Sequence, residues 1–396
     1  MKTAWVRTTL GEIAEIVSGA TPTTSVGEYW GGGIPWVTPK ELNGLEGPSI
    51  ASTERTLTEA GMKSCAASLL PPQSVLLSSR APIGLVAIND VSMATNQGFK
   101  SLVPDGDRVD AKFLYWWLRC HRARLEAMGN GATFKEVSKK VVDGVAIDLP
   151  PTEEQRRIAA VLDAAETLRT KRRQALTKLD ELPRAVFHEV FGDPVRNERG
   201  WPLHTLRDVC LKIQIGPFGS LLHKSDYVEG GIPLVNPMHI VGGTIRPHRR
   251  QTISLQKYAQ LEAYCMEVGD VVMGRRGEMG RVAIVGECEA GFLCGSGSLY
   301  LRPDPDSVTS PYIAAALSSA RGRRRLENSA QGVTMLNLNS EIVGGFELGL
   351  PPIELQREFS TTLMAQGELK AGLRGHATAL DTLFASLQQR AFRGEL

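Results

Sequence analysis

The sequence predicts an α+β protein with two tandem mixed α/β domains, separated by two long antiparallel coiled-coil helices in a pseudo-two-fold arrangement. Three observations lead to this prediction. The chain repeats itself at a spacing of 201 residues, and each repeat contains a long stretch of helical periodicity and several short β-rich runs between Gly- and Pro-rich turns. The predicted segments are a first domain at 1–150, a first helix at 151–192, a second domain at 193–351 and a second helix at 352–396.

The repeat is clearest around two proline pairs. LPPTEEQRRI at 149–158 returns as LPPIELQREF at 350–359. Further upstream the offset shrinks, because GGIPWV at 32–37 matches GGIPLV at 230–235, and Arg80 matches Arg276. The changing offset indicates loops of different length inside two otherwise equivalent units.

The segment after each proline pair is predicted to be a long helix. Thr152 and Gln155 have the spacing of a capping box, whereas Ile353 cannot cap, so we expect a less well-defined start for the second helix. About 30 residues at ~1.5 Å each predict a rod of roughly 45 Å, and Pro183 is expected to kink or end the first helix. Apolar residues recur every three or four positions, as in helices that pack along each other. They include Ile158, Val161, Ala165, Leu168, Leu179, Leu182 and Val186, then Phe359, Leu369, Leu373, Leu380, Leu383 and Leu387.

The remainder of each repeat reads as mixed α and β structure. The runs VLLSS, LVAI, VVMG and RVAIV are predicted strands, and AKFLYWWLRCHRARLEAM and PYIAAALSSARGRRRLEN are predicted helices. Strands and helices do not alternate regularly, which favours an α+β domain over a doubly wound sheet.

Length and composition limit the class of protein. With 396 residues, 42% hydrophobic and 22% charged, the chain suits a globular fold of more than one domain. A formal net charge of +2 means that a nucleic-acid surface has to arise from local basic clusters. The N-terminus lacks the apolar run of a signal peptide, no window reaches the ~18 apolar residues of a membrane span, and the six cysteines form no CxxC pair. We therefore expect a cytoplasmic protein with reduced thiols and no membrane contact.

The duplication suggests how the chain acts. If the two helices pack antiparallel, an approximate two-fold rotation relates the two domains, and the backbones of double-stranded DNA have the same symmetry. A rod of roughly 45 Å exceeds the ~34–36 Å of one DNA turn, so two readers held by it would contact two short sequences with an unread spacer between them. Divergence between the domains would give two different half-sites.

Polar and basic residues in predicted turns are the candidates for DNA contacts. Arginine can bind guanine through two hydrogen bonds in the major groove, and lysine neutralises phosphate. The candidates are Arg80, Thr133 and Lys135 in the first domain, and Arg275, Arg276, Arg281 and Thr334 in the second. A loop with Arg246, Arg249 and Arg250 and a basic run at 321–325 add positive charge to the second domain.

Signatures of catalysis are missing from the sequence. It has no G-x-x-x-x-G-K-[S/T] phosphate loop, and Cys288 and Cys294 have no histidine or cysteine at metal-ligand spacing. Residues that match between the repeats are mostly Gly, Pro, Leu, Gln and Arg, which argues against a duplicated catalytic domain. We predict a chain with no catalytic residues and no metal site.

Four motifs in order resemble one known family, the specificity subunits of type I restriction-modification systems. The motifs are GGIPWVTPKEL (32–42), SSRAPIGLVAI (78–88), GNGATFKEVS (129–138) and LPPTEEQRRI (149–158), with weaker copies in the second half. The resemblance implies two target-recognition domains, each reading half of a bipartite DNA site. It also implies docking of two methyltransferase subunits, with restriction and translocase subunits as further partners. S-adenosylmethionine, Mg²⁺ and ATP would be cofactors of those partners, and this chain would need none.

One recurring pair of residues is a candidate for contact with a partner. Gln155 and Arg156 return as Gln356 and Arg357 at the start of the second helix. Their recurrence favours a specific contact, either with the neighbouring domain or with a partner protein, and we take all four as partner-binding candidates.

Two alternative functions stay open. A stand-alone duplicated DNA-binding regulator would bind its sequence tightly without enzyme partners. An enzyme with a duplicated catalytic domain would keep an acid, base or nucleophile constellation in both copies.

Overall fold

The computed structural model describes residues 5–45, 47–131, 135–277, 279–330 and 337–396. The candidates Thr133 and Thr334 lie outside these residues. The chain divides into two compact units, here called unit 1 (Met1–Ala175 and Leu373–Leu396) and unit 2 (Leu176–Gly372). Each unit therefore contains one domain together with a part of both long helices.

Unit 1 begins with short strands and helices and continues into the first long helix. Its strands are β1 (Val6–Thr9), β2 (Ala14–Ser18), β3 (Trp30–Val37), β4 (Ser49–Ile50), β5 (Thr56–Leu57), β6 (Val75–Leu77), β7 (Val86–Asn89), β8 (Ala94–Thr95), β9 (Lys100–Pro104) and β10 (Ala146–Leu149). Its helices are α1 (Leu10–Ile13), α2 (Pro39–Asn43), α3 (Glu59–Lys63), α4 (Ala111–Cys120), α5 (Arg122–Ala127), α6 (Lys139–Asp143) and the start of α7 (Thr152–Phe191), with a 3-10 turn at Gly27–Tyr29.

A five-stranded sheet of order β2-β9-β6-β7-β4 is the largest sheet of unit 1. Its β4–β7 pair is parallel and its other pairs are antiparallel. A three-stranded sheet, β5-β3-β8, and the antiparallel pair β1-β10 also belong to this unit. Helix α4 packs against the large sheet, and its Phe113 and Trp116 are buried in a core that Ile158 and Leu162 of α7 also enter.

Unit 2 contains the end of α7 and a second set of similar elements. Its strands are β11 (Leu203–Thr205), β12 (Cys210–Ile215), β13 (Tyr227–Val228), β14 (Ile232–Val235), β15 (Ile240–Val241), β16 (Thr244–Ile245), β17 (Thr252–Ile253), β18 (Val271–Gly274), β19 (Val282–Ile284), β20 (Leu293–Cys294), β21 (Ser298–Pro303) and β22 (Glu347–Gly349). Its helices are α8 (Leu206–Val209), α9 (Leu255–Gln260), α10 (Ser310–Ser318), α11 (Ala320–Ser329), α12 (Ser340–Gly344) and the first half of α13 (Ile353–Ala391). Short 3-10 turns cover Gly219–Leu221, Lys224–Asp226, Pro237–His239 and Glu262–Tyr264.

The strand order of unit 2 repeats that of unit 1. The order β12-β21-β18-β19 corresponds to β2-β9-β6-β7, and the parallel pair β14-β20 corresponds to β3-β8. The pair β11-β22 is antiparallel, as β1-β10 is in unit 1. The predicted α+β class and the tandem repetition are therefore confirmed.

Within each unit the two long helices pack antiparallel. In unit 1, Arg169 of α7 pairs with Asp381 of α13 at 2.6 Å, and Arg157 donates to the carbonyl oxygen of Leu396 at 2.9 Å. In unit 2, Asp180 pairs with Lys370, and Phe187 lies 5.5 Å from Phe359 between ring centroids. In both units, positions later in α7 contact earlier positions of α13, as an antiparallel arrangement requires.

The long helices differ from their prediction in length and continuity. Helix α7 has 40 residues and α13 has 39, more than the ~30 that the periodicity predicted. Helix α7 continues through Pro183 to Phe191, so of the two expected effects of this proline, a kink or an end, the end does not occur. The two predicted domain helices are each divided, because α4 ends at Cys120 and α10 ends at Ser318. The Ser319 hydroxyl then caps α11 by accepting from the Gly322 amide.

A buried glutamine, and not a capping box, fixes the start of both long helices. The Gln155 side chain accepts from the Asp110 amide at 2.8 Å and donates to the Pro150 carbonyl at 2.8 Å. Gln356 makes the same pair of contacts with the Thr309 amide at 2.9 Å and the Pro351 carbonyl at 2.8 Å. The second helix is therefore anchored by the same two contacts as the first, and the expectation of a poorly defined start is wrong.

Part of the predicted apolar seam is exposed. Leu168 and Leu182 of α7 are 56% and 37% exposed, and their repeat equivalents Leu369 and Leu383 are 54% and 52% exposed. Where one helix has a single neighbouring helix, a stripe of apolar residues can be wider than the contact it makes. The four leucines thus form an exposed set that recurs at the repeat spacing of 201 residues.

Candidate nucleic-acid interface

A loop after β6 holds the first candidate arginine of unit 1. Arg80 forms an isolated antiparallel bridge with Glu136, a residue that follows the undescribed segment 132–134. The amide of Val137 donates to the Ser79 carbonyl at 2.9 Å, and the Ser79 amide donates to the Gly98 carbonyl at 2.7 Å. The loop is thereby fixed between two segments that are distant in the sequence.

Unit 2 has the equivalent bridge and the equivalent two backbone hydrogen bonds, and this set of backbone contacts is here called the frame. Arg276 forms the bridge with Asn337, which follows the undescribed segment 331–336. The Leu338 amide donates to the Arg275 carbonyl at 2.8 Å, and the Arg275 amide donates to the Gly297 carbonyl at 3.0 Å. The two arginines that the sequence aligned are thus placed at the same point of the same frame.

A close glycine–arginine contact supports the loop in both units. Gly84 and Gly280 have positive φ angles of 84° and 80°, a conformation that favours glycine. A Cβ atom at Gly84 would lie 2.6 Å from Cγ of Arg122, and one at Gly280 would lie 2.3 Å from Cγ of Arg323. Arg122 and Arg323 pack their aliphatic stems against the loop. Arg323 therefore has a structural role within the basic run at 321–325.

Two other arginines of that run are paired within unit 2. Arg321 contacts Asp193 at 2.6 Å, and Arg325 contacts Glu347 at 3.3 Å. Both carboxylates lie far from the run in the sequence, so the repulsion expected among clustered arginines is partly compensated inside the unit.

A small ion cluster surrounds the loop arginine in unit 1. The Glu136 carboxylate lies 3.6 Å from a guanidinium nitrogen of Arg80 and 3.3 Å from Nζ of Lys100. The Lys100 residue is 9% exposed, so its charge depends on this carboxylate for compensation. The Arg80 side chain is 36% exposed and keeps part of its guanidinium available to solvent.

Among the described residues of unit 2, the Arg275 side chain has neutral partners. Nε of Arg275 donates to Oδ1 of Asn337 at 2.9 Å and to the Leu338 carbonyl at 3.1 Å. Burial and the adjacent positive charge of Arg276 lower the pKa of the Arg275 guanidinium. Arg276 donates to the Ser296 hydroxyl at 3.3 Å, and Arg281 donates to the Pro237 carbonyl at 3.3 Å.

The structure brings most of the described candidates together and separates their roles. In unit 1, Arg80 forms the bridge and the exposed Lys135 directly precedes its partner Glu136. In unit 2, Arg276 forms the bridge, and Arg275 and Arg281 belong to the same part of the chain. Arg275 uses its side chain inside the unit, whereas Arg276 retains an exposed part next to Ser296. The candidates Thr133 and Thr334 belong to the undescribed segments that these bridges flank.

The four partner-binding candidates separate into buried and exposed pairs. Gln155 and Gln356 are completely buried and hydrogen-bonded inside their own units, so their recurrence reflects the contact with the neighbouring domain and leaves no exposed atom for a partner. Arg156 and Arg357 are exposed, and Arg357 also donates to the Pro305 carbonyl at 3.3 Å.

Sequence reasoning missed four residues of this site: Glu136, Lys100, Asn337 and Ser296. A usable signal was present for one pair, because Glu136 and Asn337 are separated by the same 201 residues as the recurring glutamines Gln155 and Gln356. Lys100 is the first residue of β9, and its need for a partner follows from its burial, which the sequence does not reveal.

The sequence of unit 1 matches a known family. Residues 2–178 match the family model described as type I restriction modification DNA specificity domain. The first half of the chain is thus similar in sequence to the DNA specificity domain of type I restriction-modification systems. The resemblance read from the four motifs is therefore confirmed.

Relatives in this family are similar over parts of the chain or over its whole fold. The type I restriction enzyme MjaIX specificity subunit of Methanocaldococcus jannaschii is 34% identical over 257 residues, which cover 60% of this chain and 59% of the relative. The chain spans about half the length of the curated relatives it matches.

Solved structures of specificity subunits share the fold. A chain from a study of complex assembly and conformational transition of the type I R-M system has a TM-score of 0.64 at 19% identity, covering 99% of this chain and 98% of its own length. The type I S subunit of M. genitalium has a TM-score of 0.56 at 15% identity, covering 98% and 96%.

The described residues contain neither a cluster of metal ligands nor a membrane-spanning helix. Within them, no group of three or more His, Cys, Asp and Glu side chains is placed to hold a metal ion. No helix among these residues combines the length and apolar character needed to cross a bilayer.

Proposed function

We propose that this chain is the non-catalytic DNA sequence-specificity subunit of a type I restriction-modification complex. Each unit reads one half of a bipartite, gapped site in double-stranded DNA, and methyltransferase subunits dock on the long helices. The methyltransferase flips and modifies the target base, because a chain without catalytic groups cannot do so alone. S-adenosylmethionine, and Mg²⁺ and ATP where restriction subunits join, belong to those partners.

The observation that carries this proposal is the duplicated arginine frame. Arg80 and Arg276 occupy the same position in two units that share strand order and backbone hydrogen bonds. An arginine on a backbone fixed at both sides is well suited to bind a guanine edge, because little freedom remains to be lost on binding.

Differences within the frame support two unlike half-sites. Position by position, Ser79 corresponds to Arg275, and Glu136 corresponds to Asn337. The loop arginine of unit 1 therefore faces a carboxylate, whereas the described side-chain contact of Arg276 in unit 2 is the Ser296 hydroxyl. Identical frames with different polar groups would read different bases, so we expect the two half-sites to differ in sequence.

Exposed leucines on the helices support docking of one methyltransferase subunit per unit. In the antiparallel register set by Arg169 and Asp381, Leu168 and Leu383 are neighbours in unit 1. The Asp180–Lys370 pair gives the same register for Leu182 and Leu369 in unit 2. Each unit thus carries a comparable exposed apolar pair, which is the chemistry of a protein-binding surface.

Genome-wide mapping of modified bases tests the DNA-reading part of the proposal. The chain is co-expressed with the methyltransferase encoded beside it in a host that lacks both. The expected result is a gapped bipartite motif that disappears when this chain is omitted. Absence of new methylation, with the methyltransferase shown to be soluble and intact, would favour a stand-alone DNA-binding regulator.

Paired leucine substitutions test the docking part separately. The double variant Leu168→Ser/Leu383→Ser is expected to lose one methyltransferase subunit, and Leu182→Ser/Leu369→Ser the other. Native mass spectrometry of the purified complex would count the subunits. Leu255→Ser is a matched control, because Leu255 is 76% exposed but lies on a short helix of unit 2. Full stoichiometry in both double variants would remove these leucines from the docking surface.

A further inference from the structure

A four-residue turn beside each loop arginine has the same hydrogen bonds in both units. In unit 1 the turn spans residues 96–99: the Asn96 amide donates to the Val37 carbonyl at 2.9 Å, and the Phe99 amide donates to the Asn96 carbonyl at 3.2 Å. In unit 2 it spans residues 295–298, where the Gly295 amide donates to Val235 at 2.9 Å and the Ser298 amide donates to the Gly295 carbonyl at 2.9 Å.

An asparagine side chain closes each turn, but from a different place. In unit 1, Oδ1 of Asn96 accepts from the Gly98 amide at 2.9 Å. In unit 2, Oδ1 of Asn236 accepts from the Gly297 amide at 3.1 Å. Both turns are therefore rigid, and a side chain carried at their second position has a fixed origin.

The second position is the accessible side chain of each turn. Gln97 is exposed, whereas its neighbours Gly98 and Phe99 are buried. Ser296 is half-buried between the buried residues Gly295 and Gly297. Each turn thus presents a single polar side chain outward from a largely buried backbone.

Each turn lies next to the loop arginine of its unit. A Cβ atom at Gly98 would lie 3.7 Å from Cγ of Arg80, and the Gly98 carbonyl accepts from Ser79 in the arginine loop. In unit 2 the contact is direct, because Arg276 donates to the Ser296 hydroxyl at 3.3 Å.

The two side chains are suited to different tasks. Oε1 of Gln97 accepts from the Thr21 hydroxyl, which orients the carboxamide, and its Nε2 group has no protein partner among the described residues. An oriented carboxamide can bind adenine through two hydrogen bonds, to N6 and N7. A serine side chain is too short for that geometry, and Ser296 is already engaged with the guanidinium of Arg276.

We propose that Gln97 is a specificity-determining residue that reads an adenine in the half-site of unit 1. Ser296, at the same position in unit 2, orients Arg276 toward a guanine and reads no base itself. This inference rests on the proposed function and names the base chemistry at one position of each half-site.

Methylation mapping with the co-expressed methyltransferase tests the assignment. Arg276→Ala first identifies the half-site of unit 2, because that half-site should relax at a guanine. Gln97→Ala is then expected to relax one adenine of the other half-site by roughly tenfold or more, with the remaining positions unchanged. Gln97→Glu is expected to move the preference at the same position toward cytosine, whose N4 group donates to a carboxylate.

Two further variants help to interpret the methylation maps. Thr21→Ala should relax the same adenine partially, because it frees the carboxamide without removing it. Gln389→Ala, an exposed glutamine of α13 in unit 1, should leave the motif unchanged. Thermal unfolding of each purified complex should match the wild type, since these side chains are at the surface.

The possible failures are distinct. An unchanged motif in both Gln97 variants would overturn the inference and leave the proposed function standing. A uniform loss of methylation over all sites would also overturn it, because it would indicate a phosphate contact. Absence of any bipartite motif with the wild-type chain would overturn the proposed function itself.

Discussion

Unit 1 and unit 2 present different polar groups from one backbone frame. In unit 1, the residue before the loop arginine is Ser79, whose buried hydroxyl has no hydrogen-bond partner in the described part of the chain. In unit 2 the same position is Arg275, which donates to Asn337 and Leu338. The backbone bonds that hold the two positions are the same. The frame is therefore independent of these side chains, so its polar groups can change without loss of the fold.

The helix starts show the opposite behaviour. Gln155 and Gln356 are identical, completely buried and bonded to equivalent backbone groups. Because a buried amide left unpaired is costly, these positions tolerate little change. Positions that join the domain to the helix are thus kept between the two units, whereas side chains of the arginine loop, such as Ser79 and Arg275, differ.

The largest expected effect is on stability, from loss of these glutamines. Gln155→Ala leaves the Asp110 amide and the carbonyls of Arg108 and Pro150 without their partner, and should lower the free energy of unfolding by about 3 kcal/mol. Gln356→Ala removes two such bonds and should cost about 2 kcal/mol. Urea denaturation followed by circular dichroism measures both. Gln389→Ala is the exposed control, and a glutamine variant no less stable than this control would contradict the anchoring role.

The next effect is on sequence reading by the loop arginines. Arg276→Ala should weaken binding to the cognate second half-site by about 2 kcal/mol, if its guanidinium binds a base. Arg80→Ala should have a smaller effect on the first half-site, because Glu136 already compensates part of the Arg80 charge. Competition binding of the purified complex to DNA with one half-site scrambled separates the two. Equal losses on cognate and scrambled DNA would mean phosphate contacts in place of base reading.

A smaller effect distinguishes the cores of the two units. The Tyr312 hydroxyl donates to the Gly349 carbonyl within the core of unit 2, and the equivalent helix position in unit 1 is the completely buried Phe113. Tyr312→Phe should lower the unfolding free energy by about 1 kcal/mol, because it leaves a buried carbonyl unpaired. Tyr227→Phe, at a half-buried tyrosine of the same unit, should change it by less than about 0.5 kcal/mol in the same denaturation experiment. Equal values would show that the bond to Gly349 adds nothing to stability.

The smallest effect concerns a basic loop present in unit 2. Arg246, Arg249 and Arg250 are exposed, whereas the corresponding loop of unit 1, residues 44–53, contains no lysine or arginine. Arg249→Gln should reduce the slope of log affinity against log salt concentration by about 0.9, with the recognised motif unchanged. Arg196→Gln is the control, because Arg196 is exposed and paired with Glu198 in the same unit. An unchanged slope would remove this loop from the phosphate-binding surface.

Much of the fold could be predicted from the sequence, because its signals are periodic or repeated. The strands in VLLSS, LVAI, VVMG and RVAIV, the long helices after the proline pairs and the tandem α+β class are all confirmed. These features depend on residues close together in the chain, or on comparison of the chain with itself. The sequence left open whether α7 ends at Pro183 or continues, because packing along a helix can outweigh a local proline penalty.

The candidate site was predictable only in part. The repeat located Arg80 and Arg276, but the partners that give each arginine its surroundings, Glu136 and Asn337, come from segments far away in the sequence. The repeat likewise drew attention to Gln155, yet it could not distinguish a recurring surface contact from a recurring interior one. Both patterns look alike until burial is known.

By itself, the sequence determined that this protein is a duplicated α+β chain that resembles the type I specificity subunits and has one arginine loop per unit. Tertiary structure decided which repeated polar residues are internal and which remain exposed. The physical reason is that burial and charge compensation are set by contacts between distant segments, such as the Gln155 bond to Asp110 across 45 residues or the Lys100 pair with Glu136 across 36. Local periodicity carries no record of such contacts, so the roles of these residues emerge when the chain is folded.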